Sequence, residues 1–81
     1  MKLPRDIGGE ELSRILAKYG YRVTRQTGSH MRLTSAFNGN EHHLTIPRHQ
    51  PLKIGTLSNI LNDVATYLEM QRQKLIEGLF S

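Results

Sequence analysis

Apolar residues in the first part of the chain recur at helical spacing. Leu12, Ile15, Leu16 and Tyr19 stand at i, i+3, i+4 and i+7, the period of one buried helix face. Gly8-Gly9 opens that element, Glu10 and Glu11 fall in its first turn and Lys18 in its last, charges that suit the helix dipole. Gly20 is a natural C-terminal stop. The period then drops to two. Tyr21-Arg22-Val23-Thr24-Arg25-Gln26-Thr27 alternates and is rich in strand formers, which predicts a first strand. Gly28-Ser29 is a turn. His30-Met31-Arg32-Leu33-Thr34 predicts a second strand, with Met31 and Leu33 toward the core and His30 and Arg32 away from it. Asn38-Gly39-Asn40 is a loop signal. His42-His43-Leu44-Thr45-Ile46 predicts a third strand, Leu44 and Ile46 inward, ended by Pro47.

Beyond a loop from Arg48 to Gly55, the helical period returns in Leu57, Ile60, Leu61 and Val64, with Thr56 expected to cap the helix through its hydroxyl. The stretch from Thr66 to Phe80 carries Leu68, Leu75, Ile76, Leu79 and Phe80. It reads as a helical extension broken near Met70, whose apolar stripe either completes the core or meets a partner. Short turns permit an antiparallel meander, and two amphipathic helices need one sheet face to cover. The expectation is a two-layer α+β fold: a single domain over residues 1–81, with 66–81 as its helical extension.

At 81 residues a domain hides only about 60–65% of the surface of its unfolded chain. It cannot enclose a deep pocket as well as a core, so a shallow site for a polymer is favoured over a buried small-molecule site. There is no cysteine, which excludes disulfides and thiolate zinc sites and suits a reducing cytosol. Met1-Lys2-Leu3-Pro4-Arg5-Asp6 leads into no apolar run, which argues against a secretory signal. No stretch approaches the roughly 20 apolar residues of a membrane span. A cytoplasmic location is expected.

Charge sharpens this picture. Lys and Arg number 11 against 7 acidic residues. From Leu12 to Lys53 the bases are Arg14, Lys18, Arg22, Arg25, Arg32, Arg48 and Lys53, and Glu41 is the one acid. Such a stripe is either a solubilising surface or the footprint of a phosphate-backbone binder.

Of four histidines, His30 stands out. It follows a Gly-Ser turn whose backbone can approach a ligand closely, and it begins a strand. Arg32 shares its side of that strand, and Arg25 lies on the strand before. A base among cations is what phosphodiester cleavage needs: the base takes the proton of a ribose 2′-hydroxyl, and the cations stabilise the phosphorane. The alternative is a half-exposed strand histidine. His42 and His43 point to opposite faces and cannot easily chelate one ion; without cysteines or a carboxylate cluster, no metal site is expected. Ser29 in the turn and His43 on the strand edge are candidate RNA contacts. Arg48, Lys53 and the Thr56 hydroxyl surround a helix N-terminus able to hold an anion.

Gly28-Ser29-His30 after a basic strand, then Ile46-Pro47-Arg48-His49, then Gly55-Thr56-Leu57 with Ile60-Leu61, resembles the HicA toxin family. Gly8-Gly9-Glu10-Glu11-Leu12 and Gly20-Tyr21 fit its opening, and the likeness runs over about residues 3 to 65. The resemblance implies a double-stranded-RNA-binding-domain-like fold of helix, three strands and helix. It also implies a toxin of a type II toxin–antitoxin system: a metal-independent messenger-RNA interferase, with no cofactor, inhibited by a HicB-type antitoxin. The family's catalytic histidine falls on His30. The acid for the leaving 5′-oxygen is open between His43, His49 and an arginine-only site.

Two other readings of the residues are open. A non-catalytic module of the double-stranded-RNA-binding type would read duplex shape, but such modules use a Lys-rich start to their last helix, where this chain has Gly55-Thr56-Leu57-Ser58-Asn59. A domain that binds its antitoxin alone, with activity lost, is argued against by the intact Gly-Ser-His.

Overall fold

The computed structural model describes residues 3–80 of the chain. Gly9–Leu16 forms α1. The chain then tightens into a 3₁₀ turn over Ala17–Tyr19, and Gly20 ends it in the left-handed region at φ 81°, a conformation glycine adopts without steric cost. The helical spacing through Tyr19 is thus split between an α-helix and a tighter last turn. Three strands follow, β1 (Arg22–Gln26), β2 (His30–Ser35) and β3 (His42–Pro47). They form one antiparallel sheet in the order β1-β2-β3, the expected meander.

Burial follows the pleat along β3 and on β2 as far as Leu33; Thr34, on the outer side, is also buried. Met31 and Leu33, with Leu44 and Ile46, are buried on the inner face, while His30, Arg32, His43 and Thr45 stay exposed. Along β1 the alternation of the sequence is not matched by burial: all five residues are exposed, Val23 included. This strand lies at the sheet edge, and its register breaks between Val23 and Arg25.

The helices cover the inner face. Leu12 and Leu16 of α1 join Leu33, Ile46 and the α2 residues Leu57, Leu61 and Val64, all fully buried. Helix α2 (Ile54–Leu68) starts before Thr56: Lys53 is the N-cap residue, in extended backbone and with no side-chain cap. Its carbonyl accepts from Leu57 N–H at 2.9 Å. Thr56 therefore lies inside the first turn, and the expected hydroxyl cap is not formed: Lys53 holds the N-cap position without one. The break expected near Met70 falls at Glu69, which takes a left-handed φ of 56°. Helix α3 (Arg72–Phe80) then buries Leu75, Ile76 and Leu79 in the common core, so the extension completes the core.

A polar cluster fastens β3 to α2. Tyr21, 2% exposed, has its hydroxyl 2.6 Å from His42 Nδ1, and His42 Nε2 lies 3.4 Å from Asp63 Oδ1. A carboxylate can only accept, so Nε2 carries the proton and Nδ1 accepts from the phenol. Burial pushes the Tyr21 phenol well above its ordinary range, which keeps it a donor. The imidazole stacks on Tyr67 with centroids 4.6 Å apart and planes at 10°. His42→Ala strands the Tyr21 hydroxyl and is expected to lower unfolding stability by about 1–3 kcal/mol, read from urea denaturation. It leaves the outer sheet face untouched.

Candidate active site

His30 owes its position to the β1–β2 turn. Thr27 N–H donates to His30 C=O at 2.9 Å, and His30 N–H returns a bond to Thr27 Oγ1 at 3.1 Å. This double lock fixes the backbone on which the exposed imidazole stands. Ser29 Oγ lies 3.0 Å from His30 Nδ1. When Nδ1 carries the proton it donates to Ser29, and the Nε2 lone pair faces solvent, the state a base requires. No side chain among the described residues bonds to Nε2.

The arginines arrive through a bulge. Arg22 pairs with Thr34 and Val23 with Leu33, but Arg25, not Thr24, pairs with Arg32. Strict alternation would turn Arg22 and Arg25 to opposite faces, because they stand three positions apart. The extra residue, Thr24, restores both to the outer face. It is held there by Thr34 Oγ1 at 2.9 Å. Arg25 and Arg32 consequently stand opposite each other, and neither has a carboxylate partner among the described residues. Like charges so placed cost about 0.2–1 kcal/mol, a cost that an anion lying across them would remove.

Pleat geometry sets the distances along this face. Arg32 is two residues from His30, about 7 Å along the strand. His43 pairs with Thr34, four residues from His30, so it lies about 13 Å away. It is too far to protonate the same phosphate. Its Nδ1 sits 2.9 Å from Thr34 Oγ1, and its Nε2 3.8 Å from Glu41. His43 ends a polar row, Thr24–Thr34–His43, across the sheet.

On the other strand, His30 pairs with Pro47, and Arg48 N–H donates to Ser29 C=O at 2.9 Å. The Arg48 guanidinium grips Glu10 of α1, with Nε 3.1 Å from Oε1, so its charge is already partnered. The structure thus sets Arg25 and Arg32 on the His30 face and Ser29 against its ring, while Arg48 touches the turn through its backbone N–H alone and turns its guanidinium to Glu10. Lys53 and Thr56 stand at the start of α2, and no hydrogen bond or ion pair links them to the His30 turn. Sequence reasoning missed Glu10 as the partner of Arg48. A long-range pair between a helix turn and a loop leaves no spacing signal.

Among the described residues no group of three or more His, Cys, Asp or Glu side chains converges on one point. Among the described residues no helix is long and apolar enough to cross a membrane.

A family model described as the HicA toxin of bacterial toxin–antitoxin systems matches residues 9–65. The chain belongs to the HicA toxin family. The comparisons with curated proteins and with solved structures return no match. As a HicA-family chain, the protein is the toxin component of a toxin–antitoxin pair. The matched span runs from the first residue of α1 into α2. It contains the whole sheet, the Gly28-Ser29-His30 turn and the Arg48–His49 loop, while α3 lies beyond it.

Proposed function

We propose that this HicA-family toxin is a metal-independent endoribonuclease of the cytoplasm that cuts messenger RNA and so halts translation, with His30 as its base. One observation carries the reading: an exposed imidazole, oriented through Nδ1 by Ser29, stands on the same sheet face as the unpartnered Arg25–Arg32 pair.

In this mechanism the RNA backbone lies across the outer face. His30 Nε2 takes the proton of a ribose 2′-hydroxyl. The 2′-oxygen then bonds to phosphorus, the bond from phosphorus to the 5′-oxygen breaks, and the products are a 2′,3′-cyclic phosphate and a 5′-hydroxyl. Arg32 and Arg25 meet the charge that builds on the phosphorane, where fixed donors count most. The departing 5′-oxygen needs a proton. His43 is too distant to give it, which leaves His49, beside the turn, an arginine-only site, or His30 itself after a proton exchange. Ser29 orients the imidazole, Arg48 braces the turn, and His43, Lys53 and Thr56 contact RNA away from the cleaved bond.

The test is incubation of the purified protein with a mixed-sequence RNA in EDTA. Fragments ending in cyclic phosphate support the reading. Duplex binding without fragments would favour the non-catalytic double-stranded-RNA-binding alternative. Arg25→Ala and Arg32→Ala are each expected to weaken RNA binding and to reduce the salt slope by about one unit, the signature of one lost phosphate contact.

The inhibiting partner in this reading is a HicB-type antitoxin that lays acidic side chains over the same arginines and covers His30. Arg25→Glu is then expected to weaken antitoxin binding as well as RNA binding. Unchanged antitoxin affinity would place the inhibitor elsewhere.

A further inference from the structure

The turn that carries His30 has a second side. A cleft of about 410 Å³ lies there, between the first turn of α1 and the loop Arg48–Gln50, with Gly28 on its rim. Two backbone bonds build it. Gly9 N–H donates to His49 C=O at 2.9 Å, and Leu52 N–H donates to Ile7 C=O at 2.8 Å. The side chains around it are polar: Glu10, Glu11, Arg14, Arg48, His49 and Gln50.

Size, position and one unpaired guanidinium in an otherwise charge-balanced lining together favour one occupant. The volume falls near the lower end of the roughly 300–1,000 Å³ range of small-molecule sites, which suits one nucleotide and not a length of chain. Arg14 has no ion-pair partner among the described residues, and Glu10 fixes Arg48 in place, so the walls hold one free and one anchored guanidinium. Gly28 is two residues from His30, within about 7 Å between Cα atoms. The bond from Arg48 N–H to Ser29 C=O, 2.9 Å long, ties the far wall to the same turn.

Gly28 supplies an independent sign. Its φ lies outside the left-handed region, and a Cβ built on it meets no atom within 4 Å. Neither backbone conformation nor packing calls for glycine there. A side chain at this position would instead stand at the mouth of the cleft.

We propose that this cleft is a single-nucleotide subsite that receives the RNA nucleotide next to the scissile phosphate, with the unpaired Arg14 on its phosphate and Gly28 keeping the entrance clear. The proposal rests on the reading of the protein as a ribonuclease. The strand passes over the Ser29 peptide: the bond to be cut lies at His30 on the outer sheet face, and the adjoining nucleotide turns into the cleft. Glu11 and Gln50 are then placed to meet the donors and acceptors of its base.

Gly28→Val tests this, since the fold tolerates a side chain that the occupied cleft does not. It is expected to melt as the wild type does and to raise KM for RNA cleavage by about tenfold or more, the scale of a steric misfit in a pocket. A second measurement follows backbone amide shifts of His30→Ala titrated with a 2′-O-methyl RNA oligonucleotide, which lacks the attacking hydroxyl. Gly8, Glu11, Arg14 and Gly28 are expected to move, and Gly8, Glu11 and Arg14 to stay still when Gly28→Val is added. Shifts confined to Arg25, Arg32 and Thr45, or a wild-type KM in Gly28→Val, would overturn the subsite and leave the ribonuclease standing. If the wild type cuts no RNA while the oligonucleotide still moves the cleft amides, the ribonuclease reading fails and nucleotide binding in the cleft survives it.

Discussion

His30→Ala is expected to lower RNA cleavage by about 10²–10⁴-fold, the usual contribution of a positioned acid–base group, with no loss of thermal stability. The two halves of this expectation rest on different facts. The imidazole is exposed and makes one side-chain bond, to Ser29, so its removal opens no cavity and strands no buried group. The turn is held by the Thr27 backbone and hydroxyl, both of which alanine leaves in place. Measured side by side in EDTA, the wild type should cut and the folded mutant should not. Ser29→Ala should fall between them, because it frees the ring without removing it. Equal cleavage by wild type and His30→Ala would mean that the base is another residue, and the outer face would lose its catalytic role.

Gly9→Ala should have the largest effect on stability of any single methyl added to this chain. A Cβ at Gly9 would lie 2.0 Å from Pro47 O and 3.0 Å from Pro47 C. Both are backbone atoms of β3, so no side chain can swing aside. Separation of α1 from the sheet is resisted by the bond between Gly9 N–H and His49 C=O and by the buried Leu12 and Leu16. Overpacking of this kind costs about 2–3 kcal/mol, which for a domain of this size lowers Tm by roughly 10–20 °C. Gly28→Ala, in open space, is the control and should melt with the wild type. Because the displaced segment leads into Arg48 and His49, cleavage should suffer in Gly9→Ala even below its melting point. A melting curve unchanged from wild type would show that α1 and β3 are not packed as closely as described.

Local periodicity carried most of the fold. Leu12 and Leu16 at helical spacing, and Met31, Leu33, Leu44 and Ile46 at strand spacing, are the residues found buried, and the meander followed from short turns. Its limits are equally physical. The first strand alternates in sequence, yet an edge position leaves Val23 42% exposed. Thr56 looked like a cap, yet the helix had already begun on a backbone carbonyl. For the site, the residues near His30 in sequence were legible: Ser29, Arg32 and, one strand back, Arg25. What stayed hidden depends on contacts between distant segments. The Arg48–Glu10 pair spans 38 residues, and the cleft exists because residues 7–9 meet the loop at 49–52. The alternation that turns Leu44 and Ile46 inward also puts His42 on their side and His43 on the other; what it did not show is that His42 bonds to Tyr21 and Asp63, two distant segments.

The extra residue at Thr24 also bears on how this toxin behaves in a crowded cell. β1 is an edge strand, and a straight edge offers its free amides and carbonyls as a template for a neighbouring chain. The bulge interrupts that row midway, and Arg22 and Arg25 flank the interruption with like charge. Two copies brought edge to edge would find their hydrogen-bonding groups out of step and their guanidinium groups repelling each other. Deleting Thr24 would straighten the strand and turn one arginine toward the core side. The shortened protein should then self-associate at concentrations where the parent remains dispersed.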